Sequence, residues 1–371
     1  MKKLITIILI LTVASAGLIV GCAKEEKKIK IGAILPLTGD GAAYGEKEKD
    51  GIDLAAWEVN EDGGIGGRKI EVIYEDSKGV PEPATSALQK LITRDKVKVV
   101  IGDAFSSPTL AMVPIIDKNR IIMISPSASS PKLSHSSDYF FRVWPSDVAE
   151  ASIMAEVAMD RMKLKKFALI YGNNDYAIGL RDVFMESVKR LGGEILVTET
   201  YNEGDTDFRT QLTKIKKAAP DAIYMTGYYK EFAKILIQAK EMGIKAQFLS
   251  CGTFPEPEIL KIAKEAAEGV VFVQPYFDRN SKDPLIQKFV ENYEARFNVE
   301  AGIYAAHGYD AMRVLAEAMK IGGISPERIR DALLGLKDFP GVTGKTTFVK
   351  GGDVVKPARI MTVKDGEFVE F

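Results

Sequence analysis

The chain has 371 residues, of which 46% are hydrophobic and 27% are charged, and 50 Lys and Arg against 51 Asp and Glu leave a formal net charge of −1. This size and apolar content suffice for a buried core and are typical of two domains rather than one. A near-neutral charge without a basic cluster argues against nucleic acid as the main partner.

The N-terminal segment has the pattern of an export signal. Two lysines precede an almost wholly apolar stretch over 4–20, which is short for a membrane-spanning helix. The sequence LIVGC, which ends at Cys22, resembles a bacterial lipobox, in which the cysteine becomes lipidated. We therefore expect a lipoprotein signal peptide over 1–21 and a charged tether over 22–28, with an uncleaved anchor as the alternative. Either way we expect the bulk of the chain to be exported and tethered. With the lipobox, we expect it in the periplasm or at the cell surface, anchored by lipid to a bacterial membrane.

From residue 29 onward, strands and helices alternate. Short apolar runs predict strands, and apolar positions three and four residues apart predict helices. The first half predicts strands over 29–35, 69–75, 97–101 and 121–124, separated by helices over 46–60, around 84–92 and over 110–119. Such alternation is typical of a doubly wound parallel sheet.

The same pattern restarts in the second half. It predicts strands over 166–171, 194–200, 221–226, 247–250 and 269–273, with helices over 179–191, 208–215 and 232–239 between them. Two long helices over 284–297 and 304–320 follow, and then an antiparallel tail with strands near 346–349, 358–363 and 367–370.

These patterns predict an α/β fold with two doubly wound parallel-sheet lobes and a ligand cleft between them. We assign residues 29–144 and 276–350 to the first lobe, and residues 145–275 and 351–371 to the second. The connections near 142–146 and 273–277 are the expected hinges.

Few residues are suited to catalysis. The chain has only two histidines, His135 and His307, and the GxSxG, HExxH and CxxC motifs are absent. We therefore expect a binding protein rather than an enzyme, without metal or cofactor. A hydrolase with Ser106 as nucleophile is an alternative, but the sequence places no base near that serine.

Small hydroxyl residues follow two neighbouring strands at their carboxyl ends. Ser106 and Ser107 follow the strand over 97–101, and SPSASSP (125–131) follows the next strand. Ligands of doubly wound sheets bind at this edge, where helix N-termini offer free N–H groups to anions. Helix capping alone would need only one serine. The two loops therefore favour a site for a carboxylate.

The order of these segments resembles the branched-chain amino-acid binding proteins, which are type I periplasmic binding proteins that feed ABC importers. The residues that carry the resemblance are IGAILPLTGDGAAYGEKEKDGIDLAAWEVNEDGGIGGRKIEVIYED (31–76), VVIGDAFSSPT (99–109) and MISPSASSPKL (123–133). The resemblance extends from about Ile29 to the C-terminus. It implies a monomeric two-lobed clamp that traps one amino acid and hands it to a membrane permease.

The resemblance also implies ligand-binding residues at matching positions of the first lobe. Ser106 would hold the ligand α-carboxylate, with assistance from Ser129. The carbonyl of Ser127, next to Ala128 in the same loop, would face the ligand ammonium. Tyr44 would form a wall of the side-chain pocket.

The second lobe is similar to the family in one respect and departs from it in another. Tyr176 and Tyr228 match the aromatic residues that close over the ligand. The amino-acid binders also place an acidic residue after the strand over 247–250, where Gly252 stands here. Burying an ammonium without a counter-charge costs several kcal/mol. Glu256, on the same loop, is the candidate replacement.

This departure leaves other ligands and roles open. The same clamp could hold a carboxylate without an amine, such as an aromatic or aliphatic acid, or a short amide. It could also report ligand state to a membrane receptor as a sensor, although the chain carries no recognisable signalling domain.

Overall fold

The computed structural model describes residues 28–371. The expected signal peptide and the expected lipidation site, Cys22, lie outside the described residues. Within 28–371, no helix combines the length and the apolar character that crossing a membrane requires.

Strands and helices alternate along most of the described chain. The strands are β1 (Ile29–Leu35), β2 (Ile70–Asp76), β3 (Val99–Gly102), β4 (Ile122–Ser125), β5 (Phe140–Arg142), β6 (Lys166–Gly172), β7 (Glu194–Tyr201), β8 (Ala222–Thr226), β9 (Gln247–Ser250), β10 (Val271–Pro275), β11 (Ala358–Lys364) and β12 (Glu367–Glu370). The α-helices are α1 (Ala42–Glu61), α2 (Pro81–Lys90), α3 (Ser106–Asn119), α4 (Asp147–Glu156), α5 (Asp175–Arg190), α6 (Arg209–Ala218), α7 (Tyr229–Glu241), α8 (Pro257–Ala263), α9 (Pro284–Phe297), α10 (Ile303–Gly322) and α11 (Pro326–Gly335).

The first sheet has five parallel strands in the order β2-β1-β3-β4-β5. The inner strands β3 and β4 are buried along their whole length, because helices cover both faces of such a sheet. The strand order reverses between β1 and β3, and loops at the carboxyl ends beside such a point form a crevice.

The second sheet repeats this arrangement. Strands β7-β6-β8-β9-β10 are parallel and follow the same order as the first five strands, and β11 and β12 extend the sheet in antiparallel pairing. The prediction of two doubly wound parallel sheets is therefore confirmed.

The C-terminal helices return to the first sheet. Helix α10 packs along α1, and α11 packs on α10. The backbones of α1 and α10 approach closely, since a Cβ atom on Gly308 would lie 2.3 Å from the carbonyl oxygen of Glu48. The chain thus crosses between the sheets after β5, after β10 and before β11. The lobe boundaries that we assign from the sequence stay a prediction.

The structure differs from the sequence prediction in short elements. The expected strand near 346–349 is wrong, because this segment makes only isolated bridges, Phe339 with Thr346 and Phe348 with Val354. Its backbone turns back at Gly351 and Gly352, both with positive φ, so no continuous ladder forms. Strand β5 and helices α4, α8 and α11 were not predicted.

Candidate ligand-binding site

A small cavity lies between the carboxyl ends of the two sheets. It is lined by ten residues: Ala104, Phe105, Ser106, Ser127, Ser129, Trp144, Tyr176, Tyr228, Thr253 and Tyr304. The cavity volume is about 20 Å³, far below the range for small-molecule sites and enough for about one water molecule. The two sheets must therefore move apart before a larger molecule can enter.

Hydrogen-bond donors form one side of the cavity. Helix α3 begins at Ser106, whose side-chain oxygen accepts the N–H groups of Ser129 at 3.3 Å and Ser130 at 3.1 Å. The hydrogen of this hydroxyl takes no part in those two bonds and remains available as a donor. The positive end of the α3 dipole faces the same point. This side of the cavity is suited to a carboxylate.

The loop after β4 lies beside α3 and holds Ser127. The Ser127 hydroxyl donates to a carboxylate oxygen of Glu48 and lies 3.0 Å from the carbonyl oxygen of Ala104. Burial raises the pKa of Glu48 well above its usual range, with the Ser127 hydroxyl opposing this rise. Helix α1 thus holds this loop in place through Glu48.

Aromatic rings form the opposite walls. Tyr228, which precedes α7, stacks on Phe105 with ring centroids 4.6 Å apart and on Tyr176 at 5.8 Å. Trp144 stacks on Tyr304 at 5.4 Å. These rings come from both sides of the cleft, so a ligand between them would lose most of its contact with water.

Tyr44 packs behind this wall rather than in the cavity lining. Its ring lies 5.7 Å from Phe105 and 4.8 Å from Tyr304, and the side chain is 1% exposed. Burial raises the pKa of its hydroxyl well above the usual value. Tyr44 therefore supports the wall through other aromatic residues.

A carboxylate lies against Gly252 although this position carries no side chain. Oε1 of Glu150, in the first turn of α4, accepts the N–H of Gly252 at 2.8 Å. A Cβ atom on Gly252 would lie 3.1 Å from Oε2 of Glu150 and 3.2 Å from Cζ2 of Trp144. Burial raises the pKa of Glu150 well above its usual range, and neighbouring Asp147 raises it further.

Asp147 begins the same helix and is fully buried. Burial raises its pKa to about 7, against the opposing influence of the nearby Ser129 hydroxyl and of Arg142. The Arg142 guanidinium is held by other groups, at 2.7 Å from Asp353 and at 2.9 Å from the Ser130 carbonyl oxygen.

Glu256 does not line the cavity. Its carboxylate lies 2.5 Å from Nζ of Lys47 in α1, and burial raises its pKa while Lys47 opposes the rise. Asp40 and Lys230 form another ion pair across the cleft, at 2.7 Å. The Ser107 hydroxyl also crosses the cleft and accepts the N–H of Asp175 at 3.1 Å. The cleft is thus closed in this structure.

The structure brings five of the nine predicted ligand residues to the cavity: Ser106, Ser127, Ser129, Tyr176 and Tyr228. Ala128 lies in the apolar core, where its N–H donates to the Ser125 side chain at 2.8 Å. Tyr44, Gly252 and Glu256 adjoin the cleft without lining the cavity. Their roles toward a ligand stay predictions.

Sequence reasoning missed half of the lining: Ala104, Phe105, Trp144, Thr253 and Tyr304. It also missed the buried carboxylates of Asp147 and Glu150. A signal for the first carboxylate was present, because Ser146-Asp147 has the form of a helix N-cap after an apolar strand. Nothing local marks Trp144 or Tyr304 as facing a cleft.

Comparison with known proteins yields consistent matches over most of the chain. The model of a family described as periplasmic binding protein matches residues 28–367. The leucine-, isoleucine-, valine-, threonine- and alanine-binding protein of Pseudomonas aeruginosa is 31% identical over 329 residues, which cover 88% of this chain and 87% of that protein.

Solved structures give the same result. A branched-chain amino acid transporter substrate-binding protein from Streptococcus pneumoniae, in complex with isoleucine, matches with a TM-score of 0.85 and 37% identity, over 92% of this chain and 98% of that chain. A solute-binding protein of an ABC transporter from Rhodopseudomonas palustris, in complex with 3,4-dihydroxybenzoic acid, matches with a TM-score of 0.83 and 26% identity, over 93% and 96%. The resemblance seen in the sequence is confirmed, and so is the prediction of a binding protein rather than an enzyme.

Proposed function

This chain belongs to the periplasmic binding protein family, and we propose that it is the solute-binding component of an ABC importer for a branched-chain or similar amino acid. It captures the amino acid in the cavity between the two sheets and delivers it to the membrane permease. Family membership implies a location outside the cytoplasm. Lipidation of Cys22 would keep the protein close to that permease.

One observation supports this proposal: the cavity has hydrogen-bond donors on one side and aromatic rings on the other. The Ser106 hydroxyl and the N-terminus of α3 offer donors on one side, where the ligand carboxylate would bind with help from Ser129. Tyr176 and Tyr228 offer apolar ring faces on the other side, where an aliphatic side chain would pack. Ser127 would direct its carbonyl oxygen to the ammonium.

Closure of the cleft accounts for capture. A ligand that touches both walls makes its full set of contacts only when the lobes are closed, so it shifts the population toward the closed form. Rotation at 142–146 and 273–277 would separate the walls. The ion pair between Lys47 and Glu256 would break on opening and re-form on closing.

A second ligand class is favoured by the number of aromatic rings in the cavity. Phe105, Trp144 and Tyr304 add to the two tyrosines, and a benzoate-type acid could stack among them while its carboxylate occupies the serine side. The structural relative from Rhodopseudomonas palustris holds such an acid. A simple aromatic carboxylate is therefore the alternative ligand.

Titration calorimetry of the purified protein against a panel of small ligands tests the proposal. The panel contains L-leucine, L-isoleucine, L-valine, L-alanine, benzoate and 3,4-dihydroxybenzoate. We expect one branched-chain amino acid to bind each protein molecule, with compaction in small-angle scattering. Binding of the benzoates alone would favour the alternative ligand. Absence of binding and of compaction across the panel would refute the clamp.

A further inference from the structure

Two buried carboxylates beside the cavity lack a cation among the described residues. Glu150 is 6% exposed and Asp147 is fully buried, and they lie one helical turn apart at the start of α4. Oε2 of Glu150 and both side-chain oxygens of Asp147 have no hydrogen-bond partner within residues 28–371. Leaving a buried carboxylate charged and unpaired is costly, so each of these groups either holds a proton or is neutralised by a positive group.

The Arg142 guanidinium does not neutralise this pair of carboxylates, because it is bound to other groups. The Arg142 side chain donates to Asp353 at 2.8 Å, to the Ser130 carbonyl oxygen at 2.9 Å and to the Ser134 hydroxyl at 2.8 Å. No lysine or arginine of the described chain forms an ion pair with Glu150 or Asp147. A cation that neutralises this pair must therefore come from outside the chain.

The position of Glu150 links the carboxylate pair to the cavity. Its Oε1 is fixed by the Gly252 N–H, which leaves Oε2 near the space that a side chain at residue 252 would occupy. That space adjoins Trp144, which lines the cavity, and Pro275, which does not. A larger residue at 252 would lie within 3.1 Å of Oε2, so the glycine leaves room for the carboxylate.

We propose that Glu150, supported by Asp147, supplies the negative charge that holds the ligand ammonium, in place of a side chain at residue 252. This inference rests on the proposed function and narrows the ligand to molecules with both a carboxylate and an ammonium. The carboxylate lies on the Ser106 side and the ammonium on the α4 side. The acidic residue thus reaches the site from a helix instead of from the loop after β9.

The experiment compares L-leucine with 4-methylpentanoate, which has the same carbon skeleton without the amine. Titration calorimetry is performed on the wild-type protein, on Glu150→Gln and on Glu258→Gln. Glu258 is a partly exposed glutamate of α8 outside the cavity lining and serves as the matched control. We expect wild type to bind L-leucine at least about tenfold more tightly than 4-methylpentanoate, since a hydrogen bond to a charged group is a strong one. In E150Q the affinity for L-leucine should fall about tenfold or more, while that for 4-methylpentanoate changes by less than about twofold. E258Q should match wild type for both ligands.

The outcomes separate this inference from the proposed function. If wild type binds L-leucine tightly and E150Q binds it equally well, the role of Glu150 is overturned and the proposed function stands. If wild type binds L-leucine and 4-methylpentanoate with equal affinity, the role of Glu150 is overturned as well. This comparison does not depend on whether E150Q folds. If wild type binds only carboxylates without an amine, both the ammonium site and the amino-acid function are overturned.

Discussion

Replacing Ser106 with alanine removes the hydroxyl at the N-terminus of α3 that borders the cavity. This side chain is 1% exposed, and its oxygen accepts the N–H groups of Ser129 and Ser130. Its hydrogen is the donor that a ligand carboxylate would meet. A hydrogen bond to a charged group contributes about 1.5–3 kcal/mol, so the affinity for L-leucine should fall by about ten- to a hundredfold.

Titration calorimetry at neutral pH measures this loss, and thermal unfolding checks that the variant is folded. Ser152→Ala is the matched control, because the Ser152 hydroxyl lies 3.3 Å from the Ser187 hydroxyl, on the side of α4 that faces α5. An S106A protein that binds L-leucine within about twofold of wild type would refute a carboxylate bond at Ser106. An equal loss in S152A would show that the effect is not specific to the cavity.

The remaining predictions concern stability. Gly308→Ala would place a Cβ atom 2.3 Å from the Glu48 carbonyl oxygen, so its free energy of unfolding in urea should fall by about 1–3 kcal/mol. Gly335→Ala meets no atom within 4 Å and should change the same quantity by less than about 1 kcal/mol; an equal loss in both variants would contradict the close helix contact. Burial lowers the pKa of Lys356 to about 8, with nearby Asp310 opposing this effect. Because the unfolded chain keeps the lysine proton up to about pH 10.4, the stability of wild type should rise relative to Lys356→Met between pH 8 and 10, by up to about 1.4 kcal/mol per pH unit. Parallel curves for the two proteins would show that this lysine does not titrate on unfolding.

The sheets could be predicted from the sequence because short runs rich in apolar residues form their inner strands. The run over 97–101 and the strand over 247–250 correspond closely to β3 and β9. Strand β5 has only three residues, too few for a periodic pattern. The strand expected near 346–349 does not form, for a different reason. Its residues bridge only to nearby residues of the chain and not to a sheet.

The first-lobe half of the site was predictable for a similar reason. Parallel strands end at the same edge of a sheet, so serines after adjacent strands had to lie together, as Ser106 and Ser129 do. Trp144 and Tyr304 line the cavity because the chain returns to the first sheet and stacks these two rings on each other. That contact joins residues far apart in the chain, which local periodicity does not encode.

Glu150 shows this limit most clearly. The sequence indicated that an acidic side chain was missing after β9, and Glu256 was the candidate because it lies on the same loop. The structure instead pairs Glu256 with Lys47 and places the Glu150 carboxylate against Gly252. Proximity in sequence was a poor guide, because helix α4 packs against β10 and brings Glu150 to that loop from a distant part of the chain.

The most direct test of the account is a crystal structure of the protein grown with L-leucine. We expect one leucine in the cavity, with its carboxylate within hydrogen-bonding distance of the Ser106 hydroxyl, its ammonium on the side of Glu150 and its side chain against Tyr176 and Tyr228. A leucine bound elsewhere, or turned so that its carboxylate faces Glu150, would contradict the account.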